Sequence, residues 1–119
     1  MQDYRNLKVW QRSHQLTLEV YQMTNDFPAD ERFGLTSQIR RCALSVPSNI
    51  AEGSARGSDA DFSRFIHIAM GSAAELDYQM LLAHDLNFMD SSEYQRLADE
   101  LAEIRRMLNA FNQTLRAKN

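Results

Sequence analysis

Apolar residues recur along most of this chain at steps of three and four, the spacing of one face of an α-helix. Val9, Leu16, Val20, Met23 and Phe27 follow at intervals of 7, 4, 3 and 4 and predict a first helix over about residues 4–26. Phe27-Pro28 ends it, because the residue before a proline is pushed out of the helical region. Leu35, Ile39, Cys42, Val46, Ile50 and Gly53 step by 4, 3, 4, 4 and 3 and predict a second helix, about 31–54. A third, about 58–87, carries Phe62, Phe65, Ile66, Ala69, Ala73, Leu76, Met80 and Ala83, with Ser58 and Asp61 as its capping signal. The fourth, about 91–116, opens at Asp90-Ser91-Ser92-Glu93 and carries Leu97, Leu101, Ile104, Leu108, Phe111 and Leu115 as a heptad seam. Acids (Asp99, Glu100, Glu103) fill its first half and bases (Arg105, Arg106, Arg116, Lys118) its second, which suits the helix dipole. Long helices with short connections predict an all-α fold: an up-down-up-down four-helix bundle, one domain over residues 1–119.

Two features interrupt this regular picture. Pro47 lies inside the second helix, where it has no N–H for the carbonyl of Ala43 and costs about 3 kcal/mol relative to alanine. The apolar spacing continues through it, so the expectation is one helix bent at Pro47, with the small-residue zone Gly71–Ala74 of the third helix facing the bend. The first helix carries a second apolar strip, Leu7, Trp10, Leu18 and Tyr21. A helix at the edge of a monomeric bundle needs only one strip, so this one marks a deeply embedded helix or a subunit contact.

Composition narrows the function classes. With 119 residues, 44% apolar and 24% charged, the chain builds one globular domain. Its net charge of −3 argues against indiscriminate nucleic-acid binding and leaves room for a local basic patch. The single cysteine, Cys42, excludes an internal disulfide and reads as a small buried residue. Charges at Asp3, Arg5, Lys8, Arg12 and Glu19 leave no signal peptide, and no stretch is apolar enough to span a membrane. A cytoplasmic, reduced protein is expected.

Catalytic motifs are absent from the sequence. His14, His67 and His84 stand alone on three helices, and the Glu-x-x-His pair of di-iron bundles is missing. Gly-Ser-Ala-Arg-Gly at 53–57 lacks the lysine and the preceding strand of a phosphate loop. No cofactor, metal or enzymatic activity is expected. What remains is the polar face of the second helix. Arg41, Ser45, Asn49, Glu52 and Arg56 follow at 4, 4, 3 and 4, with Gln38 and Arg40 beside them and Glu75 and Gln79 across the bundle. One reading makes Gln38, Ser45, Asn49, Glu52, Glu75 and Gln79 a paired network that sets register between helices or subunits. Another makes Arg40, Arg41 and Arg56 a ligand or phosphate site.

At these residues the chain resembles a known family, the 23S rRNA intervening-sequence proteins. The resemblance rests on Leu7-Lys8-Val9-Trp10, on Phe33-Gly34-Leu35-Thr36, on Gln38-Ile39-Arg40-Arg41 and above all on Ser45-Val46-Pro47-Ser48-Asn49-Ile50-Ala51-Glu52-Gly53, with Arg56, Phe65, Ala69, Gly71-Ser72 and Glu75-Leu76 after it. It implies an up-down bundle assembled as a ring, a homopentamer. A related branch, the accessory proteins of diversity-generating retroelements, implies a pentameric barrel that binds nucleic acid.

The leading expectation is therefore a non-enzymatic, ring-forming scaffold whose interface uses Leu7, Trp10, Leu18 and Tyr21. The alternative is RNA or DNA binding through a basic rim of Arg40, Arg41, Arg56, Lys8 and Arg12. A remoter one is a small-molecule site built on Asn49, Glu52, Arg56 and Glu75.

Overall fold

The protein is described here from a computed structural model, over residues 3–117, so Lys118 lies outside the described residues. Asp3 begins the fold. Its carboxylate accepts the Arg5 backbone N–H at 3.0 Å and winds Tyr4–Asn6 into a single 3-10 turn. Leu7 then takes an extended backbone (φ −83°, ψ 123°) and turns into the core. The first helix, α1, accordingly spans Lys8–Thr24 and is shorter than its apolar pattern suggests. Ala29–Glu31 makes a second 3-10 turn. Glu31 folds its carboxylate back to accept the N–H of Leu35 at 3.0 Å, which starts α2 (Leu35–Ser54). A Cβ on Gly34 would fall 2.7 Å from this carboxylate oxygen, so any larger residue there makes the Glu31 side chain shift.

Ser58 caps α3 (Asp59–Asp85) by accepting the N–H of Asp61 at 3.1 Å. Asn87 ends that helix in the left-handed region, φ 65°. The N–H of Phe88 reaches the carbonyl of Ala83 and that of Asn87 the carbonyl of His84, both at 2.9 Å, which makes a Schellman stop. Phe88 then packs on Phe27, ring centres 5.5 Å apart, and ties the two turns at one end of the molecule. Asp90 accepts the N–H of Glu93 at 2.7 Å and opens α4 (Ser91–Ala117).

The helices form an up-down four-helix bundle of 46 × 24 × 20 Å, and each apolar face named above turns inward. Ile39, Ile50, Ile66, Leu76, Met80, Leu97, Leu101, Ile104 and Leu108 are fully buried. Consecutive helices pack side by side, and α4 returns to α1 along the loosest seam. Two ion pairs close that seam. Arg12 grips Glu100 with two hydrogen bonds (2.6 and 2.9 Å), and Arg96 meets Glu19.

Pro47 lies within an unbroken α2. The carbonyl it deprives, that of Ala43, has a partner from another helix: the hydroxyl of Thr17 on α1 stands 3.1 Å away. The same hydroxyl lies 2.8 Å from the carbonyl of Ser13, so one proton serves two acceptors. Thr17 is one of three buried hydroxyls on this side of α1, with Ser13 and Thr24. Each bonds to the carbonyl four residues back, at 2.7–2.8 Å, so none is left dry. The orphan carbonyl is thus answered from α1, whereas the small residues of α3 do different work. Ser72 meets Ser45 at 2.7 Å and Ala73 is fully buried, but Gly71 lies open, with nothing within 4 Å of where its Cβ would be. Close approach of α2 to α3 occurs instead at Gly53, whose Cβ would fall 2.7 Å from Phe62 and 2.9 Å from Phe65.

Two sets of variants test this packing by chemical denaturation. Thr17→Val leaves the Ala43 carbonyl buried without a donor and lowers stability by about 1–3 kcal/mol. In a Pro47→Ala background, where residue 47 regains its N–H, most of that loss disappears. Gly53→Ala costs about 1–3 kcal/mol through overpacking, whereas Gly71→Ala, on an open helix surface, gains about 0.5–1 kcal/mol.

Candidate interaction surface

The polar face of α2 splits into separate pairs. Ser45 bonds Ser72, and the Asn49 amide donates to the carbonyl and hydroxyl of Ser45 at 2.8 and 2.9 Å. This group, with Ser45 and Asn49 two residues to either side of Pro47, holds α2 against α3. Glu52 turns outward and pairs with Arg56 at 2.8 Å. Gln79 is buried to 7% exposure beside the thiol of Cys42, and its side-chain oxygen accepts no hydrogen bond among the described residues. Glu75 is exposed near the same thiol, and Gln38 is exposed. Burial pushes the Cys42 thiol above its usual range, and the neighbouring Gln79 amide opposes this only in part. Asn49, Glu52, Arg56 and Glu75, the set considered for a small ligand, line none of three surface grooves formed by the described residues, of about 310, 390 and 480 Å³.

The five basic residues do not form one rim, and of them only Arg40 and Arg41 share a groove. Arg12 is held by Glu100, which raises its pKa further. Arg56 is shared between Glu52 and Asp61 and lies over the ring of Phe65 at 4.7 Å. Arg40 clamps the end of α1. It donates to the Thr24 hydroxyl (2.7 Å), the Tyr21 carbonyl (3.2 Å) and Asn25 (3.1 Å), and it covers the Tyr21 ring. These are the carbonyl-rich end of a helix and its cap, where a cation is favoured. Arg41 and Lys8 are exposed and have no ion-pair partner among the described residues. Lys8 starts α1 and Arg40 grips its far end, about 24 Å away at 1.5 Å per residue.

The second apolar strip of α1 also divides. Leu7 is core, 8% exposed, and Trp10 is half-buried against the core between Tyr4 and the stacked ring of His14. Leu18 and Tyr21 face outward. Beside Tyr21 opens the largest of the three grooves, about 480 Å³, lined by Arg32, Phe33, Arg40, Arg41 and Leu44 together with Thr36 and Ser37. It holds three guanidinium groups and no carboxylate. Phe33 is 88% exposed, with the Arg32 guanidinium 5.2 Å from its ring centre. Neither Arg32 nor Phe33 belongs to a candidate site read from the sequence. The available signal was that Phe33 belongs to no apolar stripe, so no helix face buries it.

His14, His67 and His84 lie apart, and among the described residues no three His, Cys, Asp or Glu side chains gather as a metal set would. No helix among these residues is long and apolar enough to cross a membrane. The sequence also gave no warning of a buried contact between α3 and α4, where the Ser63 hydroxyl donates to Asn112 and the Asn112 amide lies 3.4 Å from His67.

The profile described as 23S rRNA-intervening sequence protein matches residues 5–110. The chain belongs to that family. Its fold is shared by a crystal structure from Bacteroides thetaiotaomicron, described as a protein with unknown function from the S23 ribosomal protein family. That structure superimposes with a TM-score of 0.79 at 23% identity, over 87% of this chain and 97% of the other. At that identity the likeness concerns the fold. No curated protein matches the chain. The match to the family covers α1, α2 and α3 whole, and with them the Pro47 region, the Arg40 clamp and the Arg32–Phe33 turn.

Cys42 reports on the integrity of this surface. Its burial predicts alkylation by iodoacetamide at pH 8 that is at least about a hundredfold slower in the native protein than in urea, since reaction must await local opening.

Proposed function

We propose that this family member is a non-enzymatic, self-associating bundle that acts as an interaction scaffold. The observation that carries the reading is where large apolar side chains remain exposed. All of those on the described surface, among them Leu18, Tyr21, Phe33, Leu44 and Tyr78, belong to α1, α2, α3 or the turns beside them. α4 has none. Its outward face carries charges such as Arg96, Glu103, Arg105 and Arg106. A chain that sheds apolar groups from one helix and keeps them on three is built to cover those three. Copies joined through these helices, with α4 toward solvent, make a ring the natural closed form, and the resemblance to the pentameric accessory proteins suggests five subunits. No reaction is assigned to it.

Light scattering on protein purified at low salt gives the native mass, and the 260/280 nm ratio of the same peak reports bound nucleic acid. A mass near five subunits with protein-like absorbance is the expected result. Tyr21→Ser combined with Leu44→Ser, both at exposed positions, is expected to reduce the mass toward one subunit without loss of helical circular dichroism. A monomeric wild-type chain at high micromolar concentration contradicts the proposal.

A further inference from the structure

Two of the exposed surfaces have opposite character. The groove beside Tyr21 presents Arg32, Arg40 and Arg41 around Phe33 and Leu44, with no acid among its lining residues. The outer side of α3 reads the other way. From Ile68 to Leu86 there is no lysine or arginine, while Glu75, Asp77 and Asp85 are present. Asp77 is spoken for by Arg105 at 3.6 Å. Glu75 and Asp85 are exposed and have no arginine or lysine partner among the described residues. Between them Tyr78 is 61% exposed and Leu81 is exposed beside it. Each surface therefore offers an apolar centre flanked by charge, basic in one case and acidic in the other.

We infer that in the assembled protein the Arg32–Phe33–Arg41 groove of one copy receives the Glu75–Tyr78–Asp85 stripe of the next. The inference rests on the self-association proposed above and names the two surfaces that carry it. The occupant follows from charge. A groove with three guanidiniums in a chain of net charge −3 attracts an acidic partner, and the acidic, apolar stripe on every other copy is one. Because one surface is built by α1, α2 and the turn before α2 and the other by α3, each copy can give one and receive with the other. Such a head-to-tail contact closes into a ring when its rotation divides a full turn. Tyr78 and Leu81 enter among Phe33, Tyr21 and Leu44, and the flanking acids meet Arg32 and Arg41. Arg40, already committed to the end of α1, holds the Tyr21 side of the groove in place.

The experiment uses two charge-reversed full-length chains. One carries Arg32→Glu and Arg41→Glu, the other Glu75→Arg and Asp85→Arg. All four positions are exposed, and circular dichroism checks that both chains fold. Alone, each faces a repulsive contact at every junction and is expected to run as a monomer by light scattering. Mixed in equal amounts they are complementary at both junctions, provided that they alternate. The mixture is expected to reassemble, and only into even-numbered species. Phe33→Ala, which removes a side chain that supports no fold contact, is expected to weaken wild-type assembly at least tenfold. A monomeric wild-type chain overturns the self-association and this inference together. A wild-type oligomer whose mass survives both reversals keeps self-association and overturns the choice of surfaces. Failure of the folded, mixed variants to reassemble overturns the pairing of groove with stripe. So does single-stranded RNA binding that Arg32→Glu and Arg41→Glu abolish while leaving the oligomer intact, which assigns the groove to phosphate.

Discussion

The bundle turns on a carbonyl that its own helix cannot satisfy. Pro47 leaves Ala43 without its helical donor, in a part of α2 that is buried. A dry, unpaired carbonyl is expensive, so the proline is tolerable only if another element supplies a proton. Thr17 does so, and to reach Ala43 it must stand at one height and one rotation on α1. The proline thereby becomes a register mark between α1 and α2. Ser45, Asn49 and Ser72 do the same between α2 and α3, with Ser45 and Asn49 to either side of the proline. Three helices are fixed against each other within a short stretch of α2, and the heptad seam of α4 closes on them.

Arg40 shows the same economy at the other end of α1. A guanidinium that reads as half of a basic pair is used to finish a helix, where it meets a carbonyl, a hydroxyl and an aromatic ring. Arg12 and Arg56 are likewise absorbed by acids of their own chain. The charge available to a partner is therefore less than the count of arginines suggests. It is concentrated where the turn before α2 adds Arg32 to Arg41.

Much of this was legible beforehand. Apolar spacing located all four helices and nearly every core residue, because a helix that buries one face must repeat at three and four. Ser58 and Asp90 were readable as caps for the same local reason. The ends of α1 were not, since Leu7 leaves the helix to enter the core and no periodic rule foresees that exit. The partner of Ala43 was also hidden. A buried threonine with its hydroxyl bonded backward looks like any other helical residue until the neighbouring helix is in place. The small residues Gly71–Ala74 pointed to a close approach, but size alone does not tell which glycine faces a neighbour and which faces water, and it is Gly53 that does the former. The strip Leu7, Trp10, Leu18 and Tyr21 held two groups in one: its first half serves the core and its second half the surface, a division set by where α4 lies.

The seam between α1 and α4 has a dynamic meaning. The other three seams are the more extensive and carry hydroxyl contacts such as Thr17 with Ala43, Ser45 with Ser72 and Ser63 with Asn112, whereas this one is flanked by two charged pairs at the water's edge, Arg12 with Glu100 and Arg96 with Glu19. Electrostatic closure of this kind weakens as ions accumulate, while hydrophobic closure does not. The loosest seam of the bundle is thus also the one whose rim responds most to ionic strength.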